Sequence, residues 1–166
     1  SMQAAQEAIR LAEATGDAAT EAMGYHQWGR AHWRQGDYGA ARSRLQTALE
    51  RAQQTGLVAV EAEILHDLGL AAHHQGAEAD AMAYLERALR LFTELSDPRG
   101  QGRARNSLGL TLRSQGDYHR AQACHEQSLV TFRQIGDRRG EAMVLNNLGI
   151  VSRLRGDKAQ ARAFYE

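Results

Sequence analysis

Apolar residues recur along the chain in steps of three and four, in stretches running over about 18–35, 38–55, 58–75, 78–95, 98–115, 118–135 and 138–155, with another opening at 158. That spacing puts the apolar side chains on one face of an α-helix and marks the face to be buried. A fixed punctuation separates the stretches: Gly-Asp at 16–17, 36–37, 116–117, 136–137 and 156–157. Glycine there can adopt the left-handed conformation that stops a helix, and the aspartate can accept from the free amides opening the next one. At Ser96-Asp97-Pro98 the proline falls on the first helical position, where its missing amide costs nothing, and this accounts for the only Pro in the chain. The pattern predicts an all-α chain of helices each about 25 Å long. Turns this short force neighbouring helices antiparallel, so the product is a row of helical hairpins.

The row is a repeat. Gly29, Gly69, Gly109 and Gly149 form one series and Gly36, Gly76, Gly116 and Gly156 another, both stepping by forty. Trp28, Leu68, Leu108 and Leu148 precede the first series, and Ala41, Ala81, Ala121 and Ala161 recur in the second helices. Leu45, Leu85, His125 and Tyr165 follow four residues later, then Ala48, Ala88 and Ser128. Small residues belong where two helices approach closely, and the bulky ones fill the space beside them. The chain therefore divides into a partial second helix over 3–15, repeats over 16–55, 56–95 and 96–135, and an incomplete repeat over 136–166. Ser1-Met2 reads as the remnant of a removed tag.

These positions resemble the tetratricopeptide repeat, in a 40-residue variety that is longer than the usual 34-residue unit and lacks its closing proline. Similar repeats occur in bacterial signal-transduction ATPase and LuxR-type regulators and in spindle-orientation G-protein regulators. The resemblance implies a right-handed superhelical solenoid and a noncatalytic scaffold for proteins or peptides, part of a larger signalling or transcription-regulatory protein of bacterial type. It also implies that ligands lie on a concave wall built by the first helices. The positions that carry over are His26, Gln27, Arg30 and Trp33; His66, Asp67, Leu70 and His73; Asn106, Ser107, Leu110 and Arg113; and Asn146, Asn147, Ile150 and Arg153. Asn106, Asn146 and Asn147 can serve a peptide backbone, and Leu70, Leu110 and Ile150 make an apolar row. Arg113 and Arg153, with Arg30 and Arg103, can form paired bonds to carboxylates, which points to an acidic or C-terminal carboxylate ligand. The competing reading is that these Asn and Arg only solvate an exposed surface. A second function stays open: self-association through apolar helix faces left uncovered at the two ends, giving a homo-oligomer.

Composition narrows the chemistry further. Twenty basic and twenty acidic residues cancel, which removes the general attraction to nucleic acid or an acidic membrane surface. A single cysteine, Cys124, allows no intrachain disulfide or cysteine-based zinc cluster and suits a cytoplasmic, reducing compartment. No apolar run approaches a membrane span. His73 and His74 are expected to point apart as helical neighbours, with His66 about 10 Å from His73, so no metal is expected. His125-Glu126 opens a zinc-protease motif, but Leu129 stands where its second histidine belongs. Gly100-Gln101-Gly102 lacks both a third glycine and a preceding strand, so no cofactor is expected. Arg155-Gly156-Asp157 is one more instance of the helix-stop turn. Trp28 is expected in the interhelix core, Trp33 on the wall, and Cys124 as buried filler rather than a nucleophile. No catalytic residue set stands out, and the chain is read as a nonenzyme.

Overall fold

The structure is a computed structural model and describes residues 2–165. Among the described residues there are nine α-helices and no strand: α1 (Met2–Thr15), α2 (Ala18–Arg34), α3 (Tyr38–Thr55), α4 (Val58–His74), α5 (Glu78–Glu94), α6 (Pro98–Ser114), α7 (Tyr118–Gln134), α8 (Arg138–Leu154) and α9 (Lys158–Tyr165). Every helix end lies within a residue of the position that the apolar periodicity and the Gly-Asp punctuation predict. The turns act as expected. Asp17, Asp37, Asp97, Asp117 and Asp137 each accept from a backbone amide in the first turn of the following helix, and Asp157 accepts from the Gln160 amide at 2.9 Å. Leu57, which stands where the others have aspartate, gives α4 no side-chain cap. Gly56 and Gly136 turn through the left-handed region at φ 66° and 70°, and Ser96 does the same at φ 52° with a side chain attached.

The chain forms two compact units, Ser1–Leu91 and Phe92–Glu166. In the first, Ala22, Leu45, Ala48, Ala52, Ile64, Leu68 and Ala71 make the core, with Tyr25, Trp33, Leu49, Val60 and Tyr84 packed against it. In the second, Leu129, Phe132, Val144 and Leu148 do so, flanked by Ile135, Leu145 and Phe164. The recurring glycines mark the closest helix approaches. A Cβ on Gly29 would sit 2.7 Å from Leu45 Cγ, and one on Gly109 would sit 2.6 Å from His125 Cε1. The signature pair of the sequence is thus a packing pair, glycine on a first helix and a large side chain on the second. The two units differ at the ends of their second helices. Ala52 lies 80 positions before Phe132, and the Phe132 ring enters the second unit only because Gly140 leaves room: a Cβ there would lie 2.5 Å from Phe132 Cδ1.

Candidate functional site

In the first unit the wall is carried by α2 and α4. His26 is buried, and its Nε2–H donates to Asp67 Oδ2 at 2.8 Å, joining the two first helices. Arg30 Nε stands 3.7 Å from the same oxygen, and His66 Nδ1 stands 3.6 Å from Asp67 Oδ1. Burial works against ionising Asp67, but hydrogen bonding to His26 and His66, and their charge, outweigh it and hold the carboxyl well below the usual range. Gln27 and Arg30 remain exposed, while Leu70 and His73 are half-buried. His73 Nδ1 meets Glu78 Oε2 at 3.3 Å. Its ring lies 5.6 Å from that of His74, edge to face, and the two take different partners, since His74 stacks on Tyr38. Among the described residues no three His, Cys, Asp or Glu side chains gather as a metal site.

Trp33 packs against the core cluster and meets Tyr38 at 6.4 Å and His74 at 5.7 Å, while Tyr38 and His74 stack at 4.7 Å. Its buried Nε1–H has no acceptor among the described residues. Trp28, expected in the core, is only half-buried and lies under the Arg44 guanidinium, 3.9 Å from the ring centroid. A guanidinium above an indole face is held there by attraction to the ring quadrupole.

In the second unit α6 and α8 carry the wall. Asn147 Nδ2 donates to Asn106 Oδ1 at 2.9 Å, and His125 Nδ1 approaches the same oxygen at 3.0 Å. An amide oxygen only accepts, so His125 carries its proton on Nδ1 and presents a bare Nε2, which has no donor among the described residues. Burial first, then the nearby Arg113 charge, depress the His125 pKa to about 4. Arg113 itself is half-buried and has an Nη1 with no acceptor among the described residues. Asn146 and Arg153 are exposed, and Leu110 and Ile150 are half-buried. Cys124 is half-buried rather than fully enclosed, and burial raises its thiol pKa.

Five wall positions read from the sequence as exposed are therefore buried: His26, His66, Asn106, Ser107 and Asn147. For His26, Asn106 and Asn147 the reason is the same in both units. The position three residues before the glycine of one first helix faces the position two before the glycine of the next, as in His26 with Asp67 and Asn106 with Asn147. Their polar groups bond to one another before any ligand arrives. What the wall leaves open is Gln27, Arg30, Asn146 and Arg153, with Trp33, Leu70, His73, Arg103, Leu110, Arg113 and Ile150 half-open beside them.

One depression in the second unit was not legible from the repeat positions. Of about 380 Å³, it is lined by Arg99, Arg103, Phe132, Asp137, Arg139, Gly140 and Met143. Asp137 Oδ1 accepts from the Gly140 amide at 3.0 Å while its Oδ2 faces Arg99 Nε at 3.3 Å. Arg103 lies over the Phe92 ring, 5.7 Å from the centroid, and Met143 is 45% exposed. Of these residues only Arg103 belongs to the set read from the sequence. The signal for the others was the pair of arginines forty apart, Arg99 and Arg139, on equivalent turns of successive first helices.

The family model for the tetratricopeptide repeat matches residues 20–94 and 100–166. No curated protein matches the chain. Among solved structures, BtubC from P. vanneervenii is similar at 24% identity and TM-score 0.79, over 89% of this chain and 61% of that one. A Rap protein complexed with competence and sporulation factor matches at 18% identity and TM-score 0.81, over 95% and 44%. A signal-transduction ATPase with numerous domains from Pyrococcus horikoshii, bearing a tetratricopeptide repeat sensor, matches at 18% and TM-score 0.81, over 99% and 25%. The chain spans less than two thirds of each of these three. At such identities the likeness is one of fold.

Proposed function

The chain belongs to the tetratricopeptide repeat family, and from that premise we propose that its first helices receive a peptide or protein segment with an acidic side chain or a free C-terminal carboxylate. The observation that carries this reading is Arg113, a half-buried guanidinium on the wall with an Nη1 that has no acceptor among the described residues. Leaving a buried cationic donor unmatched costs free energy, and a ligand carboxylate would recover it through a charge-assisted bond. Arg153, exposed on the next first helix, supplies a second donor, and Leu110 and Ile150 an apolar strip between them. Asn106 and Asn147 stiffen the wall by pairing with each other, leaving Asn146 to meet a peptide backbone. The repeats are taken to follow the forty-residue steps, with full ones over 16–55, 56–95 and 96–135. A role as the sensing piece of a larger signalling or regulatory protein draws support from the names of two similar structures, one a signal-transduction ATPase with a tetratricopeptide repeat sensor and one a Rap protein complexed with competence and sporulation factor.

The test is calorimetric titration of the chain with a peptide ending in a free carboxylate and with its C-terminal amide. The free acid is expected to bind about tenfold tighter than the amide. Arg113→Ala with Arg153→Ala is expected to erase that difference along with most of the salt dependence. Equal binding of acid and amide, or an unchanged salt dependence in the double variant, removes the groove assignment.

A further inference from the structure

We propose that copies of this chain associate head to tail, with α8 of one copy docking against α1 and α2 of a second in the register of one further repeat. Within each unit the first helices stack by one rule. The residue three before the glycine meets the residue two before the next glycine, as His26 meets Asp67 and Asn106 meets Asn147. At the two end helices α2 offers Gln27 for that pairing and α8 offers Asn146, and both amides are exposed. Asn146 accepts through its Oδ1, as Asn106 does, and keeps its own N–H groups for a peptide. A charged pairing repeats in the same register. Arg99 Nε stands 3.3 Å from Asp137 Oδ2, just ahead of the next first helix. Arg139 lies forty residues on from Arg99, and Asp17 holds the place of Asp137 in the first repeat; both are exposed.

The apolar surfaces correspond as well. A depression of about 290 Å³ between α1 and α2 includes Ala5, Ala8, Gly24 and Gln27. His125 and Ser128 hold the places of Ala5 and Ala8 in the second unit, and there α6 lies over them. Asn106 bonds His125, and the Gly102 carbonyl accepts from Ser128 Oγ at 2.7 Å. The place of Gly102 on α8 belongs to Ala142, which is exposed although Ala22, Ala62 and Gly102 are all buried. Docking sets Ala142 against Ala8 and covers both. α9 already stands on α8 where such a second helix begins, and α1 of the second copy supplies the later turns. The two overlap by about one turn, residues 162–165 against 2–5. Tyr165 faces Gly149 as Leu45 faces Gly29, so the first turn of α1 is the one that unwinds. Terminal turns open at little cost. The ends also differ in charge: the first unit has eight basic and twelve acidic residues, the second twelve and eight. Opposite signs favour unlike ends over like ones. A contact between two different surfaces leaves one of each open, so growth continues past the pair.

Sedimentation equilibrium of the whole chain over a range of concentrations tests this, and its result is independent of the acid-against-amide titration. The mean mass is expected to climb with concentration past that of two chains, and to climb less at high salt. Arg139→Glu spoils the α8 end and Gln27→Arg the α1–α2 end, each at an exposed position. Either variant alone is expected to associate about tenfold more weakly, with its circular dichroism unchanged. An equimolar mixture keeps one intact end on each partner, so it is expected to form pairs with the affinity of the parent chain and to stop at two. Glu7 takes the place that Arg87 holds against Glu61, which sets it beside Glu141 in the docked pair. Glu7→Arg is therefore expected to tighten association about threefold. A parent chain that stays monomeric at every concentration overturns the proposal. A mass that levels off at two shows like ends meeting and overturns the head-to-tail contact, as does a mixture no tighter than the variants apart. No tightening from Glu7→Arg overturns the register.

Discussion

At the scale of single residues the second unit carries one position where the repeat pattern and the chemistry conflict. Leu45 fills the space against Gly29 and Leu85 the space against Gly69, whereas Gly109 faces a histidine. His125 is completely buried, bonds Asn106 through Nδ1 and leaves Nε2 unmatched. Its pKa lies near 4 in the fold against 6.5 for an ordinary imidazole, so between those values the unfolded chain binds more protons than the folded one. Stability is therefore full above about pH 6.5 and falls as the pH drops toward 4, by up to about 3 kcal/mol. Asp67, whose carboxyl is held low, withdraws its contribution only below the ordinary carboxylate range, so the two effects separate. His125→Leu restores the side chain that the equivalent sites use and leaves Asn106 Oδ1 bonded to Asn147. Urea unfolding should find this variant about 1 kcal/mol more stable at pH 7 and level between pH 6.5 and 4.5; a slope equal to that of the parent chain would show that His125 is not the titrating group.

At the scale of helices the punctuation does the organising, and at Ser96 a side chain stands where the other left-handed stops have glycine. Gly16, Gly56 and Gly136 end second-type helices with φ between 66° and 70°, and Ser96 is asked for nearly the same conformation at φ 52°. A Cβ in the left-handed region costs about 1–2 kcal/mol, part of which glycine gives back through the freedom of its unfolded chain. Ser96→Gly should stabilise the chain by about 0.5–1 kcal/mol and raise its melting temperature without altering the helix content. A lower melting temperature would mean that the Ser96 side chain makes a compensating bond. The helix limits were legible because caps and stops are local: Asp97 accepts from the Gly100 amide three residues on, whatever packs outside.

At the scale of the molecule each compact unit is a stack of helices whose contacts run to neighbours in sequence or one helix beyond. In such stacks a helix with one neighbour opens more easily than a helix with two or three. Among the described residues α1 packs on α2 and α9 on α8, while α4 contacts α2 and α3, and α6 contacts α7 and α8. Hydrogen exchange should therefore release the amides of α1 and α9 well before those of α4 and α6. Uniform exchange across all of them would point to a single cooperative unit instead.

The forty-residue step, the helix limits, the caps and the glycine-to-large-residue packing pairs were all determined by the sequence, since each depends on residues close along the chain or repeated at a fixed interval. The tertiary structure alone decided which wall positions face outward. His26 and Asn106 stand at the face positions expected for a ligand, yet each is consumed by a partner 41 residues away, Asp67 and Asn147. The depression at Arg99, Arg139 and Met143 likewise exists only because Phe132, from a different helix, reaches under Gly140. Periodicity fixes the face of a helix to which a side chain belongs; whether that face meets solvent or the next helix depends on the angle and distance at which neighbouring hairpins stack, and no residue's own type encodes those.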